Sequence, residues 1–303
     1  MEFLYLLEKI RVPVLNEFML LITKFGEETA FLVIALIVFW CVDKYKGYYV
    51  LGVGFLGTLA NQFMKLWFRI PRPWVLDENF TILEQAREAA TGYSFPSGHS
   101  QSAVGTFGTL AYTTKNKATR IVSICIAVLV PLSRMYIGVH TPLDVLVAAA
   151  MAVVLIIALK PIFFGNSQKG IPAALCVMTV LAVSFLCFVE YYDFPVDIDA
   201  HNLQSGYENA YTLLGALLGL IVVYIVDEKW NHFSTRAVWW AQILKVLIGL
   251  GLVLVVKSGL KTPLNMIFGE FIGRAARYFL IVIVAGIVWP LFFRFFEKLG
   301  NKE

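Results

Sequence analysis

Charge is scarce in this chain of 303 residues: Asp, Glu, Lys and Arg make up 15% of it, against 59% hydrophobic residues. Soluble domains carry roughly 45–50% apolar residues, because a surface facing water has to be polar. So little charge excludes a water-soluble domain and predicts an all-α, polytopic membrane helix bundle, whose outside is solvated by lipid. Cysteine is rare too. Cys41, Cys125, Cys176 and Cys187 lie inside apolar runs with no CxxC spacing, which excludes a dithiol motif and leaves packing residues. A cleavable signal peptide is not expected, since Glu8, Lys9 and Arg11 stand where its apolar core belongs. No heptad run or short repeat is present. The net charge of +4 is too small to suggest nucleic acid as a partner and bears on topology instead.

What is present is a series of apolar runs near the ~20 residues that cross a bilayer. They fall at about 28–43, 48–66, 98–114, 120–136, 144–160, 171–190, 209–227, 237–257 and 275–294, which predicts eight or nine spans. Residues 1–27 read differently. Leu4, Leu7, Ile10 and Val14 share one face with charges between them, and Pro13 breaks the run, the pattern of an interfacial amphipathic helix; an additional first span is the alternative. Residues 28–190 then form a polar-seeded membrane core. Residues 191–303 form an acidic external loop, "VEYYDFPVDIDAHNLQSGYEN" at its centre, and additional C-terminal helices. In that last part Lys245 is read as a snorkelling lysine, and Glu270 with Arg274 as a local ion pair.

Alternate connections are short and basic. Lys44, Lys46, Lys115, Lys117, Arg120, Lys160, Lys169, Lys229, Arg236, Arg294, Lys298 and Lys302 all fall in one set, which the positive-inside rule puts in the cytoplasm. The opposite set, containing 65–97, 134–143 and the acidic loop, is expected outside.

Three segments of that outer set carry polar residues a bilayer protein does not keep cheaply: "KLWFRIPRP" with Lys65 and Arg72, "PSGH" with Ser97, Gly98 and His99, and "SRMYIGVHTPLD" with Arg134, His140 and Asp144. Singly, each has a bland reading. Lys65, Arg69 and Arg72 can flank a span, His99 can be a satisfied core imidazole, and Asp144 can cap a helix after Pro142. Together they fit phosphoryl transfer, which needs positive charge and N–H donors aimed at the phosphoryl oxygens. Lys65, Arg72 and Arg134 supply charge, the arginines in bidentate fashion. Ser97 supplies a hydroxyl, and Gly98 lets its N–H approach an anion at the start of a helix. Two histidines remain for a nucleophile and an acid. Asp144, four residues after His140, can orient one ring nitrogen and leave the other to attack phosphorus, while His99 protonates the leaving oxygen. Spacing alone leaves the two roles exchangeable; the Asp144 spacing favours His140 as nucleophile.

Lys65-x6-Arg72-Pro73, Pro96-Ser97-Gly98-His99 and Ser133-Arg134-x5-His140-x3-Asp144 resemble, in order and in spacing, the tripartite signature of the type 2 phosphatidic acid phosphatase and vanadium haloperoxidase superfamily. The matched stretch runs over about residues 28–160, and the last ~100 residues have no counterpart in the minimal family core. The resemblance implies that Lys65, Arg72, Ser97, Gly98 and Arg134 bind phosphate, that His99 is the general acid, and that His140 forms a phosphohistidine supported by Asp144. It implies no metal and no cofactor. His201 with Asp197 and Asp199 is read as part of a solvated loop rather than a cation site.

The expected protein is therefore an integral-membrane lipid phosphatase of bacterial type, in the plasma membrane with its site outside. Its partner is a lipid phosphate or diphosphate in the bilayer, with undecaprenyl diphosphate, phosphatidic acid and phosphatidylglycerophosphate as candidates. Trp67, Phe68, Trp74, Phe80 and Tyr93 are read as an interfacial aromatic belt. A lipid phosphotransferase with a non-water acceptor, a sugar phosphatase and a non-enzymatic lipid transporter or scramblase are the competing readings. The C-terminal spans are candidates for a homo-oligomer contact.

Overall fold

The computed structural model describes residues 1–87, 90, 92–165 and 170–299. Lys169 and Lys302 of the basic set lie outside the described residues. Helices α1 (Glu2–Lys9), α2 (Pro13–Thr23), α3 (Glu28–Ile37), α4 (Lys44–Phe68), α5 (Pro73–Leu76), α6 (Gly98–Thr113), α7 (Lys117–Tyr136), α8 (Pro142–Phe164), α9 (Gly170–Tyr191), α10 (Ala200–Val226), α11 (Trp239–Gly259), α12 (Lys261–Phe268), α13 (Glu270–Ile283) and α14 (Phe293–Lys298) follow one another, with no strand among the described residues.

Among the described residues six helices are long and apolar enough to cross a membrane: Lys117–Tyr136, Pro142–Phe164, Gly170–Tyr191, Ala200–Asn231, Trp239–Phe268 and Glu270–Lys298. A seventh is reached if Pro13–Gly26 and Glu28–Val42, bent by 57° at their junction, count as one broken span. The expected eight or nine are thus not all met by length and composition. Two of the runs fall short for physical reasons. α6 has 16 residues, about 24 Å of helix against an apolar thickness of about 30 Å. α4 is long enough but carries Lys44, Lys46, Asn61, Gln62 and Lys65.

The chain divides into two compact units. The first comprises residues 1–34, 49–161 and 194–206, and the second 35–48, 162–193 and 207–303.

In the first unit, α6 and α7 form a hairpin across Thr114–Asn116, and Asn116 Oδ1 caps α7 by accepting from Thr119 N at 2.9 Å. Ala103 and Phe107 of α6 pack on Val130 of α7. The N-terminal helices are part of this unit. Leu4 is fully buried with Phe80, Ile82, Met135 and Val145, while Ile10 and Val14, on the same sequence face, are exposed. Arg11 fastens the following turn: its Nε donates to Tyr136 O at 3.0 Å and its Nη1 to Thr81 O at 2.9 Å. Asp199 of the acidic loop caps α10, accepting from Asn202 N at 2.8 Å.

In the second unit, Lys245 is fully buried. Its Nζ reaches Thr235 O at 3.3 Å and lies 4.4 Å from the centre of the Phe293 ring; head as well as stem is buried, which corrects the expectation of a lysine snorkelling to water. Arg274 pairs with Glu208 at 2.8 Å, not with Glu270. A tertiary partner replaces the local one, which corrects the i, i+4 expectation.

Candidate active site

The site lies wholly in the first unit and is assembled from five pieces of chain. α4 carries Lys65 on its last turn and ends at Arg69, whose left-handed backbone (φ 50°) stops the helix; the Arg69 side chain turns back to Leu66 O at 3.2 Å. Arg69 is a helix end, as its bland reading had it. The chain then runs through Arg72 into α5 and returns as residues 92–97. Lys65 Nζ donates to Tyr93 O and Arg72 Nε to Gly92 O at 2.9 Å, so two of the cations hold the segment leading into Ser97. Trp74 lies 5.9 Å from the Arg72 guanidinium and limits its movement.

Ser97 is the N-cap of α6: its Oγ accepts from Ser100 N at 3.4 Å and from Ser100 Oγ at 2.9 Å. Gly98 is the first helical residue and His99 the second, so both stand at the positive end of the helix dipole. Gly26 comes up against this turn. A Cβ at Gly26 would fall 2.8 Å from His99 O and 2.9 Å from His99 Cβ, so the close approach requires glycine.

Arg134, near the end of α7, is 1% exposed. Its Nη1 donates to Thr23 Oγ1 at 2.8 Å, and its Nε is buried without a partner among the described residues. The five residues after α7 carry His140, and Thr141 then caps α8. Thr141 N donates to Asp144 Oδ2 at 2.7 Å, and Asp144 N to Thr141 Oγ1 at 3.3 Å, a reciprocal box across the first turn. The Asp144 oxygen that closes the box also accepts from Ser94 Oγ at 2.6 Å and stands 3.5 Å from His140 Nδ1. Asp144 is therefore both the helix cap of its bland reading and the neighbour of His140.

His140 is held from both sides. Nδ1 faces Asp144 and Ser94 Oγ, the latter at 3.4 Å, and Nε2 faces Arg72 Nη1 at 2.9 Å. Burial, reinforced by the charges of Arg72, Arg134 and Lys65, pushes the imidazole well below its ordinary pKa. Burial also brings Arg72 down to about 10, with Asp144 acting the other way, which leaves it charged at neutral pH.

The structure thus gathers Lys65, Arg72, Ser97, Gly98, His99, Arg134, His140 and Asp144 around one buried, cation-rich point. Sequence reading missed Ser94, Asn61, Thr141, Thr23 and Gly26. Of these only Thr141 leaves a local signal, the T-x-x-D spacing of a helix start; the others reach the site through tertiary contacts. Of the aromatic residues, Trp67 and Phe68 are exposed, whereas Phe80 is buried against α1 rather than facing outward. No His, Cys, Asp and Glu cluster suited to a metal occurs among the described residues.

The comparisons with known proteins bear on the same residues. The family model described as PAP2 superfamily matches residues 45–168, and the one described as PAP2 superfamily phosphatase, transmembrane extension, matches residues 211–302. The chain is 32% identical over 164 residues to phosphatidylglycerophosphatase B of Bacillus subtilis (strain 168), covering 50% of this chain and 76% of the relative. It is 24% identical over 229 residues to sphingosine-1-phosphate phosphatase 2 of Homo sapiens, covering 73% of this chain and 54% of that protein. No solved structure matches the chain. With its signature residues brought together and both models accounted for, this chain belongs to the PAP2 superfamily and is a multi-pass membrane phosphatase.

Proposed function

We propose that the chain hydrolyses a lipid phosphate at the outer face of the plasma membrane, without a metal, through a phosphohistidine at His140. The observation that carries this reading is the two-sided hold on His140: Nδ1 toward Asp144 and Ser94, Nε2 toward the Arg72 guanidinium. Held so, Nδ1 keeps the proton and Nε2 the lone pair. Nε2 attacks phosphorus and forms a P–N bond, while the bond from phosphorus to the lipid oxygen breaks. Protonated His99 gives that oxygen its proton. Water then attacks the phosphohistidine and passes a proton to His99; the P–N bond breaks, and phosphate leaves. Lys65, Arg72, Arg134, the Ser97 hydroxyl and the Gly98 N–H carry the charge on the phosphoryl oxygens.

The relatives' names, a phosphatidylglycerophosphatase and a sphingosine-1-phosphate phosphatase, favour an amphiphile with a terminal phosphate. The surrounding apolar helices suit a substrate delivered from lipid. The outward placement rests on the basic residues of the opposite connections. With α4 and α6 counted as membrane helices the bundle has eight or nine, and α1, with Phe3 and Leu6 exposed, lies along the membrane surface. The second unit is a candidate for contact with another copy.

The test is phosphate release in detergent with EDTA present, from phosphatidylglycerophosphate, phosphatidic acid, a polyprenyl diphosphate and glucose 6-phosphate, beside His140→Ala. Release from the lipids that survives EDTA and disappears in the variant is expected. Turnover that needs a divalent cation, or that persists in His140→Ala, rejects the mechanism.

A further inference from the structure

The phosphate-binding groups of the site are hydrogen-bond donors, and one further buried group beside them is an acceptor that neither holds a histidine nor reacts. Asn61 lies on α4 one turn before Lys65 and is 1% exposed. Its Nδ2 donates to Pro96 O at 3.2 Å. That bond fixes which way the amide points, because a carbonyl needs a donor, and it leaves Oδ1 as the other atom. Oδ1 is buried with no partner among the described residues. A Cβ built on Gly98 would meet one atom within 4 Å outside its own helix and chain neighbours, and that atom is Asn61 Oδ1, at 3.7 Å. The open space in front of Gly98 therefore has this oxygen as its wall.

An acceptor beside an anion cradle needs a hydrogen from whatever is bound. A fully ionised phosphoryl group has none to give and presents lone pairs to a lone pair; a singly protonated one carries a P–OH. We infer that Asn61 is a specificity-determining residue that accepts the P–OH of the substrate's phosphoryl group, so that the site selects the monoprotonated form. This rests on the reading of the site given under Proposed function. The competing partner is a water held between Asn61 and Gln101. Gln101 Nε2 is also buried and unpartnered, but it lies against Gly57, on the far side of Asn61 from Lys65.

The probe is a pair of short-chain inhibitors of equal chain length, an alkylphosphonate and an alkylsulfonate. At about pH 5.5, below the second ionisation of a phosphate-like group, both are monoanions of the same shape and differ by one proton. Lys65, Arg72 and Arg134 attract both monoanions, while the imidazole lone pairs and Asp144 also accept a P–OH, so the part of Asn61 is read from the change in the ratio of inhibition constants between wild type and Asn61→Ala. In the wild type the phosphonate should bind about tenfold tighter, the order expected when a buried polar group gains or lacks its partner. Asn61→Ala should bring the two within about twofold. Equal inhibition in the wild type overturns the inference, and that measurement stands even if the variant fails to fold. If neither anion competes and His140→Ala still turns over, the phosphate reading itself has failed; competition by both without discrimination removes Asn61 alone.

Discussion

Ser94 Oγ lies 2.6 Å from Asp144 Oδ2, closer than His140 Nδ1, which stands 3.5 Å from the same oxygen. The carboxylate thus reaches the imidazole with a hydroxyl beside it, and Ser94 shares in setting the ring's position. Ser94→Ala is expected to lower kcat about tenfold with little change in KM, since a small misplacement of a reacting group costs one to two orders of magnitude. Asp144→Asn should lower it by about a hundredfold or more, because it also offers Nδ1 the wrong partner. Steady-state kinetics on one lipid check both.

The pH dependence follows from the lowered pKa of His140. Its folded pKa lies below the ordinary value of about 6.5, so the attacking form persists through that pH, and the acid limb of kcat/KM falls well below it. Arg72→Gln removes the charge nearest Nε2 and should move the limb upward, at reduced overall rate. The same depression makes the unfolded chain bind the proton first, so stability is lost as the pH falls below about 6.5. A pH–rate profile of wild type and variant, corrected for ionisation of the substrate, reads the limb.

Gly26 permits the approach of its turn to His99. Gly26→Ala places a methyl 2.8 Å from both His99 O and Val130 Cγ1, and overpacking of this kind costs about 1–3 kcal/mol. A lower thermal midpoint and reduced turnover are expected. Gly251→Ala, with nothing within 4 Å of the added carbon, serves as the contrast: a helical alanine there should raise stability by about 0.5–1 kcal/mol.

Lys245 is a test of the second unit. If its role is to fill space between Thr235 and Phe293, Lys245→Met keeps that volume, removes a buried charge and should leave phosphate release within about twofold and the thermal midpoint unchanged or higher. A loss of turnover in detergent would give the lysine a part in activity.

Much of the helix order is legible in the sequence because its boundaries carry local chemistry. Ser97 before Gly98, Asn116 before Lys117 and Thr141 with Pro142 each mark a helix start, and the structure begins α6, α7 and α8 there. The signature residues were legible for the same reason, as short motifs of fixed spacing. The packing of the N-terminal segment was not: Leu4 and Ile10 share a sequence face, yet one is buried against Phe80 and the other exposed, and no periodicity separates a protein-facing aliphatic side chain from an exposed one. Asn61, Ser94 and Thr23 are ordinary polar residues until the fold brings Pro96, Asp144 and Arg134 to them. Arg274 shows the converse, since its local partner Glu270 was plain in sequence and its actual one, Glu208, lies on a different helix.

The reciprocal pair between Thr141 and Asp144 joins helix initiation to the aiming of the histidine. The atoms that start α8 are the atoms that aim the carboxylate at His140. A chain that has wound the first turn of this helix has therefore already armed its histidine, and one that frays there is disarmed without losing any residue of the site.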